Sequence, residues 1–190
     1  KPAFDAEVNI LGSINVIEGA LAAGTRKVVF AGSGGTLYGV PESTPTLQNA
    51  SPSMDTLGAS FLDALAAKDR NALQQLRVTE REYIDIIMPG AGEPGKARKG
   101  FPEEKAAYFW DVLNTKSLYS EIALVNGYGG RKYTLRDVVW AKGVQQFDGY
   151  AGYAQLRLTV QDEQGEAHEI ETGSVVERGG RFKFVSYIKD

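Results

Sequence analysis

Ala154-Gln155-Leu156-Arg157-Leu158-Thr159-Val160-Gln161 decides the fold class, because apolar and polar residues alternate along it. A period of two belongs to a strand with one buried face and one wet face. Asp162 to Gly165 then reads as a turn, and Arg178-Gly179-Gly180-Arg181 as the tight turn of a hairpin. Phe182, Phe184 and the pair Ser186 and Ile188 continue the alternation to the C-terminus. Hairpins in succession build an antiparallel sheet.

Upstream of Gly129-Gly130 the period is helical. Leu57, Phe61, Leu62 and Leu65 form one stripe, which predicts an amphipathic helix over Met54 to Ala67. Asp69 suits the N-cap of a second helix reaching about Met88, with Leu73, Leu76, Tyr83 and Ile87 inward. Pro89 to Gly100, rich in Gly, Pro and basic residues, reads as a loop. Pro102 fits the first turn of a third helix, and Glu103 and Glu104 suit its dipole. That helix is expected to bury Tyr108, Trp110 or Phe109, and Leu113. A further short helix is expected from Lys116 to Val125, stopped at Gly127. Helices first and hairpins afterwards predict an α+β fold, with helices packed on one face of a curved antiparallel sheet.

The beginning of the chain has a different character. Ile10, Ile14, Ile17 and Leu21 predict a helix over Asp5 to Ala23, with Gly24 as its stop. Lys27-Val28-Val29-Phe30-Ala31 reads as a strand buried on both faces, and Gly32-Ser33-Gly34-Gly35 follows it as a glycine loop. From Pro41 to Pro52 the composition turns to Pro, Ser, Thr and Asn without periodicity. The expected organisation is a fragment over 1–42, a linker over 43–52 and a domain over 53–190.

Composition narrows the function classes. A net charge of −3 over 190 residues, with pI near 5.3, argues against a nucleic-acid partner. The absence of cysteine removes disulfide and thiolate chemistry, and a lone histidine, His168, rules out a multi-histidine metal site; no metal is expected. No apolar run reaches the roughly 20 residues of a membrane-spanning helix, so no membrane partner is expected. The chain opens at Lys1-Pro2, so its start says nothing about a leader; the expected location leans to the cytoplasm.

Two resemblances follow from these stretches. Phe4-Asp5-Ala6-Glu7-Val8-Asn9-Ile10-Leu11-Gly12 and Val28 to Gly39 resemble an internal segment of the NAD-dependent epimerase/dehydratase family, the extended short-chain dehydrogenases. The resemblance implies a Rossmann-type piece in which Ser33 stands where that family's serine or threonine bonds the substrate hydroxyl. The family's phosphate loop lies ahead of such a segment and is not among these residues. Its Tyr-x-x-x-Lys pair is matched in spacing by Tyr128 and Lys132 alone, in a glycine turn where the two share no helix face. The fragment is therefore expected to be inactive, and NAD would be a cofactor only if it were functional; no cofactor is expected. Gly90-Ala91-Gly92-Glu93-Pro94-Gly95 has the letters of a dinucleotide fingerprint, but it follows a helical pattern and runs into Lys96, Arg98 and Lys99, so it reads as a solvated loop.

Residues 53–190 resemble the nuclear transport factor 2-like (NTF2-like) superfamily, in its SnoaL-like or cystatin-like sense. The resemblance rests on the order of helices and strands and on Gly173 to Ile188 as the closing hairpin. Glu80-Arg81-Glu82-Tyr83 and Tyr128-Gly129-Gly130-Arg131 resemble a bacterial group of such proteins, with which no function comes. The superfamily implies a cone-shaped fold with an apolar pocket, serving catalysis in some members and binding or dimerisation in others. A small apolar ligand and a homodimer formed through the sheet are the expected partners. For an isomerase, cyclase or hydrolase of this kind, a buried carboxylate acts as general base beside a hydroxyl donor. Glu80, Asp85 and Asp111 are the candidate carboxylates, Tyr83, Tyr108, Tyr119 and Tyr153 the donors, and His168 a further acid/base. Each has an ordinary reading. Glu80 and Asp85 fit the solvated face of the second helix, Asp111 a surface residue or a partner of Arg81 or Lys116, and His168 an exposed strand position. A pocket or dimerisation module without catalysis is the leading expectation, the carboxylate enzyme the alternative, and an inactive epimerase remnant the second alternative.

Overall fold

The computed structural model describes residues 45–91 and 103–188. The chain divides between Ser43 and Thr44, and every described residue belongs to the second unit, Thr44–Asp190. The expectations for the epimerase-like segment, including Ser33, lie outside the described residues, as does most of the Gly90–Gly95 loop with its basic cluster.

The first helix, α1 (Met54–Ala67), forms where its stripe predicts. Ser53 caps it by accepting from the Thr56 N–H at 3.1 Å, and Lys68 ends it in the left-handed conformation at φ 53°. Leu57, Phe61, Leu62 and Leu65 are all buried against the sheet. Asp69 caps α2 (Arg70–Gln75), accepting from Ala72 N–H at 3.0 Å.

The long second helix expected from Asp69 to Met88 is broken. The backbone from Leu76 to Val78 lies along the last strand instead, where Phe184 donates to the Leu76 carbonyl at 2.9 Å and accepts from Val78 N–H at 2.8 Å. Thr79 then starts α3 (Glu80–Glu82) with a capping box, its hydroxyl accepting from Glu82 N–H while the Glu82 carboxylate accepts from Thr79 N–H at 2.7 Å. A π-helical turn (Tyr83–Ile87) follows, and then α4 (Met88–Gly90). Pro89 has no N–H and crowds the carbonyl four residues back, so a widened turn is what the proline permits.

The two helices expected beyond Pro102 are one, α5 (Glu103–Tyr128). Trp110 is its buried aromatic, whereas Tyr108, Phe109 and Tyr119 are exposed. Gly127 does not stop the helix; Gly129 and Gly130 do, one turn later than expected.

The sheet has five antiparallel strands: β1 (Thr134–Trp140), β2 (Val144–Phe147), β3 (Tyr150–Gln161), β4 (Ala167–Arg178) and β5 (Arg181–Tyr187). The order is β1-β3-β4-β5, and β2 pairs with the first half of β3. Leu156, Leu158 and Val160 are fully buried, as their alternation predicts. The architecture is α+β on a curved, open sheet. Curvature has a local source. The pairing of β3 with β4 slips around Leu156, next to Gln155 at φ 52°, and the pairing of β4 with β5 slips beside Ser174. Such irregularities bend a sheet and increase its twist.

Bending sets the core. Phe61 from α1, Phe184 and Tyr187 from β5 form a ring trio with centroids 5.1 to 5.6 Å apart. These rings, with Leu57, Leu65, Leu73 and Leu124, occupy the space between helices and sheet. A second cluster joins Tyr83, Ile86, Ile87 and Trp110 to Tyr150 and Val176. The end of the stretch expected to be a linker packs as well: Leu47 is buried, and Ser51 exchanges two backbone hydrogen bonds with Phe182.

Gly173 stands at the bend with φ 133°, and a Cβ there would lie 2.0 Å from the Ser186 carbonyl oxygen. Gly173→Ala is expected to cost at least about 3 kcal/mol, since strain and a backbone clash add. Urea unfolding followed by circular dichroism checks this; a variant within about 1 kcal/mol of wild type would contradict the bend as drawn.

Candidate functional site

The residues proposed from sequence as acid, base or donor do not converge. Glu80 is exposed in the first turn of α3. Asp85 is half-buried and held by Arg81 at 2.7 Å, one helical turn away. Asp111 is exposed on α5. Tyr83 points inward against Trp110, with centroids 5.4 Å apart, and burial pushes its phenol pKa upward. Tyr153, on β3, packs against the first core cluster and lies edge-on to Trp140 at 5.3 Å. It lines an aromatic groove of about 370 Å³ with Trp140, Phe182, Asp55 and Asp137.

His168 is half-buried and engaged by the β3–β4 turn. Its Nε2 lies 2.7 Å from Asp162 Oδ2, and Tyr133 meets its ring edge-on at 5.9 Å. Asp162 Oδ1 accepts from the backbone N–H groups of Gln164 and Glu166, closing the β3–β4 turn. Asp162, Glu166 and His168 offer ligand atoms within 4.8 Å of one another. Both Asp162 oxygens are already committed, so the turn explains the trio without an ion.

Charge is buried elsewhere, at residues that sequence reading passed over. Lys183 on β5 is 2% exposed and Glu82 6%. They pair at 2.9 Å, and Glu82 also accepts from the backbone N–H groups of Thr79 and Gln48. Every lone-pair direction of that carboxylate is used, which is the condition under which a buried ion pair holds. Glu121 on α5 is fully buried and takes Arg70 Nε at 2.7 Å on Oε1, while its Oε2 has no hydrogen-bond partner among the described residues.

Arg77 completes the group. It is 3% exposed, and Trp110 and Tyr187 each present a ring 5.8 Å from its guanidinium carbon. Nη1 donates to Asn114 Oδ1 at 3.0 Å; Nε and Nη2 have no partner among the described residues. Burial pushes its pKa down from the ordinary arginine value, while Tyr187 and Glu121 pull it back up. Stacking on aromatic faces returns about 0.5–2 kcal/mol for each ring. Each buried donor left without an acceptor costs about 1–3 kcal/mol, more on a charged group, so the two free nitrogens weigh against the stacking.

Arg77 lines two recesses. One, of about 350 Å³, is bounded by Arg70, Gln74, Trp110, Asn114 and Leu118 of α2 and α5. The other, of about 390 Å³, is bounded by Gln48, Asn71, Gln75 and Lys183. Both linings are rich in amide and charged side chains, unlike the apolar pocket expected from sequence. A signal for these residues existed: Arg77 is four residues after Leu73, and Glu121 four after Ser117 and three before Leu124, so each places a charge on an inward helical position.

Comparison with known proteins touches a short stretch. A UDP-glucose 4-epimerase of Mycolicibacterium smegmatis is 48% identical over 48 residues, 25% of this chain and 15% of that protein. A "Putative UDP-glucose 4-epimerase" of Methanocaldococcus jannaschii is 42% identical over 49 residues, 26% of this chain and 16% of its own length. The chain thus spans about one sixth of the length of these curated relatives. The likeness supports an epimerase-like fragment. No family model matches the chain, and no solved structure matches it.

The His168 hydrogen bond, and then the two backbone N–H groups, hold the Asp162 pKa below the ordinary carboxylate value. A depressed carboxylate stabilises the fold above its unfolded pKa of about 3.9, and that contribution is lost as pH falls through the folded value. The melting temperature of wild type is expected to exceed that of Asp162→Asn most at pH about 6, with the gap closing toward pH about 2. A gap independent of pH, measured by calorimetry, would contradict this.

Proposed function

We propose that residues 45–188 form an NTF2-like module that holds a small polar molecule without transforming it, in the recess between α2 and α5. One observation carries this reading: Arg77, a buried cation lining the recess, keeps two donors unpartnered. The candidate carboxylates support catalysis less well, since Glu80 and Asp111 are exposed and Asp85 is paired with Arg81. Phe61, Phe184 and Tyr187 pack together in the core between helices and sheet. A polar occupant of the Arg77 recess replaces the apolar one expected from sequence.

The epimerase-like stretch supports a second, minor reading for residues 1–42, as an inactive remnant of a nucleotide-sugar epimerase. The likeness of 48 residues to the Mycolicibacterium protein favours it. On that reading neither NAD nor UDP-glucose shifts the melting temperature.

Thermal unfolding of the full chain against a panel of small probes tests both readings. The panel holds sugars, amides, amines, oxyanions, apolar ring compounds, NAD and UDP-glucose. Leu118→Trp, which fills the recess, is expected to abolish the shift produced by any polar probe. A shift of equal size in Leu118→Trp would move the site elsewhere, and a response to NAD would reopen the epimerase reading.

A further inference from the structure

The two unpartnered nitrogens of Arg77 are not an arbitrary pair. Nε–H and the adjacent Nη2–H point to the same side of the planar guanidinium, with Nη1 on the other flank. Together they make the side-on fork that matches two oxygens of a carboxylate or phosphate. Nη1 is already used by Asn114, which fixes the plane from the opposite flank. The rings of Trp110 and Tyr187 hold the guanidinium as well. A fork fixed on one flank and free on the other is preorganised for a bidentate acceptor.

Hydrogen bonding around the fork agrees with this. Among the described residues here, Glu82 takes Lys183, and the fully buried Glu121 takes Arg70, whose side chain is 45% exposed. Glu121 also acts on Arg77 through space, but the hydrogen-bonded side-chain partner of Arg77 is the neutral Asn114. The buried charges therefore balance, while the Nε–Nη2 edge keeps no acceptor among the described residues. Gln74 Nε2, 3.4 Å from Glu121 Oε1, lines the recess as a further donor.

We infer that the recess takes an oxyanion-bearing small molecule, whose carboxylate or phosphate oxygens bond the Nε–Nη2 edge of Arg77. This rests on the non-catalytic recess proposed above and names the chemical class it binds. The free nitrogens are shielded from solvent, so the oxyanion reaches them by displacing a lining side chain such as Leu118.

Thermal shift and calorimetry on the full chain, at constant ionic strength, decide the matter. The probes are benzoate, acetate and inorganic phosphate, with benzamide and acetamide as uncharged isosteres and chloride as the salt control. An oxyanion is expected to raise the melting temperature by several degrees while its amide does not. Benzoate ahead of phosphate assigns a carboxylate, and the reverse a phosphate. Arg77→Met is expected to lose the shift and yet melt, without ligand, no lower than wild type, because it removes two buried donors that lack an acceptor. Arg77→Lys, which keeps the charge and loses the fork, is expected to weaken binding at least tenfold and covers the case in which the methionine variant fails to fold.

Equal shifts from benzoate and benzamide, both lost in Leu118→Trp, would overturn the oxyanion and leave the recess standing as a neutral-ligand site. Oxyanion shifts that survive in Leu118→Trp would overturn both readings. No response to any oxyanion, or full affinity in Arg77→Lys, would also sink the assignment.

Discussion

The free edge of β5 governs the rest of the domain. As the last strand in the order β1-β3-β4-β5, it would leave a row of backbone groups unpaired. Two segments close it: Ser51 pairs with Phe182, and the chain from Leu76 to Val78 pairs with Phe184. The second closure interrupts a segment whose apolar spacing would otherwise carry a single helix from Asp69 onward. Because the chain is extended at that point, Thr79 can start a new helix, and its capping partner Glu82 comes within reach of Lys183 on the same strand. Arg77, the middle residue of the closing segment, is thereby carried inside.

The buried charges follow from that geometry, but they are not equivalent. Glu82 and Lys183 satisfy each other and also tie Gln48, Thr79 and β5 into one network. Their pairing is structural, and removing one partner alone would cost about 3–5 kcal/mol. Arg77 is the reverse case. Its aromatic neighbours and Asn114 hold it in position and leave its Nε–Nη2 edge without an acceptor among the described residues. The apolar core is filled by Phe61, Phe184 and Tyr187, and two unsatisfied donors on a buried guanidinium are what a ligand would answer. The NTF2-like reading is a proposal that rests on the order of helices and strands, and a ligand held without chemistry is the proposal that this contrast supports.

Legibility in the sequence tracked the independence of each element from its surroundings. The stripe of α1, the Asp69 cap, the alternation Leu156–Leu158–Val160 and the glycine turn at 179–180 were all readable, because local periodicity and turn chemistry decide them. β1 was harder, since only Leu135 and Val138 are half-buried and its register slips beside Arg136. The break at Leu76–Val78 was hidden, because the pairing partner Phe184 lies more than a hundred residues away. The signature Thr79-x-x-Glu82 did mark it. Joining two expected helices into α5 follows from Lys116 and Gly127 being tolerable inside a long helix packed against others. The candidate carboxylates were chosen for chemistry and not for position: Glu80 and Asp111 are exposed and Asp85 half-buried, whereas Glu121 and Arg77 are buried.

The claim at the centre of this account is that the Arg77 side chain is held inside the domain with its Nε–H donating to no protein group. Side-chain 15N–1H NMR of arginine reads that proton directly. The Arg77 resonance, assigned by its loss in a lysine variant, is expected to exchange with water far more slowly than that of the exposed Arg131. In the absence of ligand its shift should also lack the downfield displacement of a carboxylate-bonded guanidinium. Exchange as fast as that of Arg131, or a carboxylate-bonded shift in the free protein, would contradict the account.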